Sequence, residues 1–394
     1  MRLCVLKFGG TCLATELDRE RSADLCASEL EKFEKVVVVV SAMGRKGDPY
    51  STDTLLEMVR NPEPGEKSCL LACGEIISAA LFADMLRDKG IPAVSITGWN
   101  AGIRTGNKNY GAELQKVEKE YLESALAEFP CVVVAGFQGM NDSGRVSVLG
   151  RGGSDVTAAA IAAAMDADEL VLFKKVDSIF TADPARVSGA VKVERISVED
   201  LRQMGWEGAG VLHPRASEIA GAAGMPMKIK SLDTGHVVTK VEPYVIRSGR
   251  YITGVVSGPD VARFLVLGDG EEPGKFYSGV FGMVASAGVS MDMFSVMEGR
   301  MMFTVSLADV DTTAGVLDDS GLEYSVLSPC VKVSIVGAGM HGMHGVMARF
   351  SSALYGAGIE MLQTVDSHAT ISALVRLERR DDALRALHRE FLET

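Results

Sequence analysis

Positive charge is scarce in this chain: 40 lysines and arginines stand against 52 aspartates and glutamates, a formal charge of -12. That sign is wrong for a protein whose affinity comes from neutralising nucleic-acid phosphates, so a nucleic-acid role is excluded. Long apolar runs are also lacking, and none is expected to cross a bilayer. The chain opens on a short strand-like segment, Leu3–Phe8, without a cleavable signal pattern, so a cytoplasmic protein with no membrane partner is expected. A disulfide framework is missing as well. The seven cysteines (Cys4, Cys12, Cys26, Cys69, Cys73, Cys131, Cys330) are odd in number and scattered among apolar neighbours, as reduced thiols are. Cys69 and Cys73 can share a helix face, but no second ligand pair follows at zinc-site spacing, so no metal site is expected.

What is present is core-forming material. With 394 residues and 47% hydrophobic content, the chain can bury more than one core, which predicts two or three domains. Over the first 230 or so residues, strand-type apolar runs alternate with stretches of helical period, the pattern of a doubly wound, mainly parallel α/β sheet. Residues 36–40 are five consecutive valines and residues 131–135 read Cys-Val-Val-Val-Ala, the β-branched runs of strands covered on both faces. Residues 68–88 have helical spacing and stop at Gly90 before Pro92.

Between residues 231 and 250 the periodicity lapses and Asp, Gly, Pro and Ser accumulate, which marks a linker or a returning segment. An internal repeat follows. Residues 261–267, a Gly/Pro turn, a helix to Gly288 and the strand from Val289 form one copy. Residues 331–336, a Gly-rich turn, a helix to Gly358 and the strand from Ile359 form the other. Each copy continues through a strand, a helix and an expected last strand, giving two βαββαβ units of ferredoxin-like type. The expected boundaries are 1–231, a linker at 232–250, then 251–328 and 329–394. In the second copy Gly337-Ala-Gly-Met-His-Gly342 matches a dinucleotide fingerprint, with Asp366 downstream. Fewer than sixty residues remain after it, too few for a nucleotide-binding sheet, and the sister repeat carries Asp269-Gly-Glu-Glu-Pro-Gly274 there. A tight strand-to-helix turn accounts for these glycines.

Two glycine-rich segments carry chemistry. In Lys7-Phe-Gly-Gly-Thr11 a strand runs into Gly9 and Gly10, whose backbone can approach phosphate oxygens beside a lysine; a plain turn is the alternative. In Leu149-Gly-Arg-Gly-Gly-Ser-Asp155, the fork of Arg151 suits a carboxylate and Asp155 can orient a lysine or a metal. The alternative there is a capped helix start, with Ser154 or Asp155 as N-cap. Glu75 lies in an apolar helix, either solvated or aimed inward at an ammonium group. Ser41 ends the polyvaline strand at the carboxyl edge, where ligands of open α/β sheets bind.

In order and spacing, KFGGT, VVVSAMG, GEIIS, VVAGFQG, LGRGGSD, FTADP and VLHPRA resemble the aspartokinases of the amino-acid kinase family over nearly the whole chain. The insertion at 45–53 and Leu362-Gln-Thr-Val-Asp-Ser-His368 are most similar to the monofunctional, diaminopimelate-sensitive members. The resemblance implies an amino-acid kinase fold followed by two ACT domains. It implies phosphorylation of L-aspartate by ATP with Mg2+, through positioning and charge stabilisation. It gives Lys7 the transferring phosphate, Gly9 and Gly10 the phosphate groups, and Ser41 a place nearby. Arg151 would take the α-carboxylate of aspartate and Glu75 its α-ammonium, with Thr52, Phe137 and Ser154 completing the pocket and Asp155 partnering Lys7.

The nucleotide end departs from the family pattern. Lys174, Lys175, Val176-Asp177-Ser178, Phe180, Ala185 and Gly210 stand where the family carries Thr-Asp, a Val-Asp-Gly-like turn, tyrosine, arginine and lysine; Arg186 is displaced by one position, and Cys12 replaces a serine. Either Lys174, Lys175 and Phe180 meet the nucleotide in an active enzyme, or the chain is a catalytically weak regulatory paralogue. A kinase of another small acid is a third reading, against which the repeats and GRGGSD argue. The ACT pair implies an amino-acid effector, meso-diaminopimelate first and lysine or threonine behind it, and a homodimer. Pro273-Gly274 and the segment from Val289 to Asp292 would frame the pocket, with Asp292 for an ammonium; His344 marks the second pocket as vestigial.

Overall fold

The computed structural model describes residues 2–175, 178–210, 212–245, 251–268, 272–340 and 342–393. They form two compact units: Met1–Ile179 with Lys192–Gly205 and Gly210–Ile246, and Phe180–Val191 with Trp206–Ala209 and Arg247–Thr394.

The first unit begins β1 (Leu3–Phe8), α1 (Glu16–Leu30), β2 (Lys35–Val40), α2 (Thr52–Glu57), α3 (Pro64–Asp88) and β3 (Ala93–Ile96). A small sheet of β4 (Ile103–Thr105), β5 (Leu114–Val117), β7 (Gln138–Asn141) and β8 (Val146–Val148) brackets α4 (Glu120–Glu128) and β6 (Cys131–Ala135). Then come α5 (Gly153–Ala164), β9 (Glu169–Lys174), β10 (Arg195–Ser197), α6 (Val198–Trp206), α7 (Pro214–Ala222), β11 (Met227–Ser231) and β12 (Val237–Glu242). The main sheet has the order β10-β12-β11-β9-β1-β2-β6-β3, and only the β11–β12 pair is antiparallel. The stretch expected to be a linker therefore contains a returning strand, β12; residues 246–250 lie outside the described residues.

Alternation along β1 sorts the core. Cys4, Leu6 and Phe8 pack with Val36, Val38, Val40, Val171 and Phe173 against Ala23 and Cys26 of α1 and Phe82 of α3. Lys7 has the opposite parity and points to the other face. The helix α1 starts from a reciprocal cap, in which Asp18 N–H donates to Thr15 Oγ1 and Thr15 N–H to Asp18. The helix α3 has Pro64 in its first turn and ends before Gly90 at φ 79°. It is long and apolar enough to span a membrane by length and composition, contrary to the expectation from apolar runs, because Ala and Gly extend it between its Leu, Ile and Phe residues. Its buried face is the core seam just described, which is how a core helix passes the same test.

The second unit holds β13 (Gly254–Leu267), α8 (Pro273–Ser286), β14 (Asp292–Met297), β15 (Arg300–Ser306), α9 (Val310–Asp319) and β16 (Glu323–Val336). It continues with α10 (Val346–Gly356), β17 (Gln363–Asp366), β18 (Thr370–Arg376) and α11 (Arg380–Leu392), around one sheet of order β14-β15-β13-β16-β18-β17. Two cores sit on it, one under α8 and α9 and one under α10 and α11. The repeat is present, but its strands are exchanged. The last strand expected after α11 is supplied instead by 254–257 at the start of β13, which pair with 333–336 of β16. A 14-residue β13 spans both modules, so a boundary at 328 does not separate them.

Two segments inside the expected first domain also belong to the second unit. Thr181 accepts the Val255 N–H at 2.7 Å, its hydroxyl lies 2.8 Å from Nε2 of buried His388, and Arg186 pairs with Asp381 at 2.6 Å. Glu207 takes the Ser334 hydroxyl at 2.5 Å and Lys332 at 3.3 Å. At the fingerprint-like turn, a side chain on Gly337 would collide with the Tyr251 carbonyl, a steric reason for glycine there; His341 and residues 269–271 lie outside the described residues.

Candidate active site

Four neighbouring parallel strands, β9, β1, β2 and β6, end together, and the sequence puts a functional residue at or just beyond each end. Lys7 is on β1 opposite Leu172 of β9, so Lys174, two residues further, projects to the same face. The N-terminus of α5 lies on that face. It carries Asp155 in its first turn, where the helix dipole favours a carboxylate. Lys7 Nζ stands 2.6 Å from Asp155 Oδ1 and Lys174 Nζ 3.8 Å from Oδ2, with Lys7 and Asp155 both buried. Burial pushes the Asp155 carboxyl up, but Lys174, Lys7 and the His213 backbone N–H outweigh it and hold the group down at about 2. Burial lowers the Lys174 ammonium, against the pull of Asp155.

Lys175 turns the other way, as alternation requires. Its ammonium is 2.9 Å from Asp18, on the α1 face, so of the two lysines expected at the nucleotide only Lys174 joins the Lys7–Asp155 cluster. Phe180 falls in the second unit and is not part of this cluster. Arg186 is held by Asp381 and Asp183 there, and Ser178 donates to the Val238 carbonyl. Val176 and Asp177 lie outside the described residues.

Gly10 lets the Lys7 loop close onto the Ser41 loop: a Cβ there would sit 2.6 Å from the Ala42 carbonyl, and Gly44 N–H donates to the Gly10 carbonyl at 2.9 Å. A Cβ on Gly9 would sit 3.4 Å from Lys7 Nζ, so its backbone borders the ammonium directly. The half-buried Ser41 donates its N–H to the Phe8 carbonyl. Glu75 points inward from α3, accepting the Ala42 N–H at 3.1 Å through Oε1 while buried Oε2 has no partner. Burial drives this carboxyl up to about 8, with Ala42 N–H and Lys7 pulling it down only in part.

Phe137 is buried at φ 71°, a left-handed conformation that a bulky residue adopts only under constraint, and its N–H donates to Thr157 Oγ1. Ser154 and Asp155 are inside α5 rather than capping it; the cap is Gly152 at φ 70°, a glycine with no side chain to offer the helix, and a Cβ there would sit 2.5 Å from the His213 ring. Arg151 is exposed and makes no ion pair among the described residues. Thr52 is half-buried in the first turn of α2, whose Leu55 shares a cluster with Leu71 of α3 and Phe137. His213 is the site residue that sequence reasoning missed, since VLHPRA was recognised without a role for its histidine. Among the described residues no group of three His, Cys, Asp or Glu side chains could hold a metal ion.

The first unit is thus a mainly parallel α/β sheet with one buried and one half-buried lysine on a single buried carboxylate at its strand ends. Residues 2–231 match the Amino acid kinase family and residues 325–389 the ACT domain. The chain is 38% identical over 406 residues to Aspartokinase 1 of Bacillus subtilis (strain 168), covering 99% of both, and 34% identical over 402 residues to an aspartokinase of Geobacillus stearothermophilus, covering 99% of this chain and 97% of that one. A crystal structure of E. coli aspartokinase III with aspartate and ADP superposes over 100% of both chains with a TM-score of 0.82 at 23% identity, a likeness of fold. The chain belongs to the amino acid kinase family and, within it, to the aspartokinases.

Proposed function

We propose that this enzyme transfers the terminal phosphoryl group of ATP to the side-chain carboxylate of L-aspartate, giving ADP and 4-phospho-L-aspartate. The observation that carries the reading is the Lys7–Asp155–Lys174 cluster at the strand ends, in which Lys7 and Asp155 are buried, with Glu75 and its unpartnered oxygen on the neighbouring helix. The acceptor carboxylate is already ionised at neutral pH, so no general base is needed. One of its oxygens attacks the γ-phosphorus, the bond to the bridging oxygen breaks, and ADP leaves with that oxygen's negative charge. Lys7 meets the charge spread over the transferring group, and Asp155 fixes the lysine in place. Gly9, Gly10 and Ser41 line the phosphates.

Arg151, exposed and without an ion pair among the described residues, is free to fork onto the α-carboxylate, and Glu75 receives the α-ammonium. Thr52, Phe137 and Ser154 shape the rest. Mg2+ would neutralise phosphate oxygens, but Asp155 is engaged by Lys7, Lys174 and the His213 N–H, so the residues present make no protein cage for it. Such an ion would arrive on the nucleotide with its water.

The second unit is the regulatory part, binding an amino-acid effector such as meso-diaminopimelate, lysine or threonine. The E. coli enzyme has been crystallised with lysine and aspartate in a T-state. Asp292 pairs with Lys332 at 3.0 Å, so an effector ammonium there would compete with that lysine. The edge strands β14 and β17 offer pairing surfaces for a homodimer, and the setting is cytoplasmic. Steady-state ADP release over a panel of amino acids, with ATP and then GTP, tests the reading: turnover should require aspartate. Its absence with both nucleotides would favour a regulatory paralogue, in keeping with the rebuilt positions Lys175, Ala185 and Gly210.

A further inference from the structure

We infer that His213 is a positioning residue for aspartate binding, its ring holding in place the turn that carries Arg151. The inference rests on the aspartate reading above, in which Arg151 takes the α-carboxylate, and gives a task to a residue that reading leaves without one.

The turn needs holding. Gly153 N–H donates to the Gly150 carbonyl at 3.0 Å, which closes a four-residue turn with Arg151 and Gly152 at its corners. Gly152 stands at φ 70° and ψ 6°, the values that the second corner of a type II turn requires, and Gly150 is left-handed as well at φ 80°. Glycines on both sides give the arginine a backbone with many accessible conformations, and its exposed side chain makes no ion pair among the described residues. Its aim therefore has to come from packing around the turn.

Two rings supply that packing. A Cβ on Gly153 would sit 2.8 Å from Phe137 Cδ2 and one on Gly152 2.5 Å from His213 Cδ2, so each of these glycines is backed by a ring. His213 is itself fixed: Pro214 opens α7 directly after it, α7 packs on α5, and the His213 N–H is bonded to the Asp155 carboxylate. Its side chain has no competing task. His213 occupies the N-cap of α7 without making a cap bond, where Ser, Thr, Asp or Asn would serve the helix better, and its buried Nδ1 has no partner among the described residues. Burial lowers the imidazole, outweighing the pull of Asp155, so the ring meets Gly152 as a neutral flat surface.

Steady-state kinetics of the full-length chain at saturating ATP, with aspartate varied, test this in His213→Ala, His213→Leu and His213→Phe, and in His213→Ala combined with Arg151→Ala. Removing the ring while the main-chain N–H stays on Asp155 should raise KM for aspartate about tenfold or more and lower kcat by less than about threefold. His213→Leu, which fills the space with no flat face, should show the same rise and carries the test if the alanine variant does not fold. His213→Phe should bring KM back to within about threefold of wild type, and in the Arg151→Ala background His213→Ala should change KM by less than about twofold, because the residue it positions is gone. An unchanged KM in His213→Ala and His213→Leu, a KM in His213→Phe as high as in those variants, or losses that multiply in the double variant would overturn the inference while wild-type turnover still requires aspartate. Wild-type turnover that ignores aspartate would overturn the aspartate reading with it.

Discussion

Replacing Glu75 by glutamine should stabilise the ligand-free protein while weakening its hold on aspartate. Glu75 is 2% exposed, and burial raises its carboxyl from 4.5 to about 8. A folded-state value above the unfolded one means that the native state binds the proton more tightly. Stability is therefore fullest below the unfolded value, falls as pH rises from 4.5 toward 8, and levels off beyond. At about 1.4 kcal/mol per pH unit, the cost at pH 7 is on the order of 3 kcal/mol, and somewhat more at pH 8. Glutamine keeps the acceptor for the Ala42 N–H and carries no charge to desolvate, so the variant escapes this loss. In melting curves at pH 5, 6, 7 and 8 without ligands, the Tm gap between variant and wild type should open with pH. It should reach several degrees at neutral pH, since about 1 kcal/mol moves a unit of this size by roughly 2–4 °C. Titrating aspartate in buffers of different ionisation enthalpy should show the wild type releasing most of a proton at pH 7 and the variant releasing none. A gap that stays flat from pH 5 to 8 would refute the burial argument, and equal proton release would remove Glu75 from the ammonium site.

Lys7→Ala should lower kcat by about a hundredfold or more, as expected for removing a charge that acts in the transition state, whereas Arg151→Ala should also raise KM for aspartate; wild-type kinetics in either variant would break the site assignment. Lys175→Ala should leave ATP affinity unchanged and destabilise the protein by no more than about 1 kcal/mol, because the part-exposed lysine only braces Asp18; weakened ATP binding would return Lys175 to the pocket. Calorimetry and activity assays with meso-diaminopimelate, lysine and threonine should find at least one that binds and inhibits with roughly 1–3 kcal/mol of coupling, and silence from all three at millimolar concentration would make the second unit structural only.

The parallel sheet was legible because β-branched runs such as 36–40 and 131–135 suit strands covered on both faces, and the Lys7–Asp155 pair of the candidate site was legible because glycines, a lysine and a carboxylate stand at strand ends. What escaped is set by direction and by distant pairing. Adjacent lysines 174 and 175 look alike in sequence, yet alternation sends one to Asp155 and the other to Asp18. The exchange of residues 254–257 into the second module depends on which strand finds the open edge of β16, and the departure of Phe180–Val191 to the second unit depends on partners such as His388. His213 earned no role from its motif because its contact with Gly152 is made only by folding.

The most direct test of the central claim is to incubate the purified chain with ATP, Mg2+ and L-aspartate in the presence of hydroxylamine, which converts an acyl phosphate to a hydroxamate. ADP and aspartate hydroxamate should form together, one for one, and neither should form when aspartate is left out. ADP release that ignores aspartate, or that proceeds with no hydroxamate, would contradict phosphoryl transfer to the aspartate side chain.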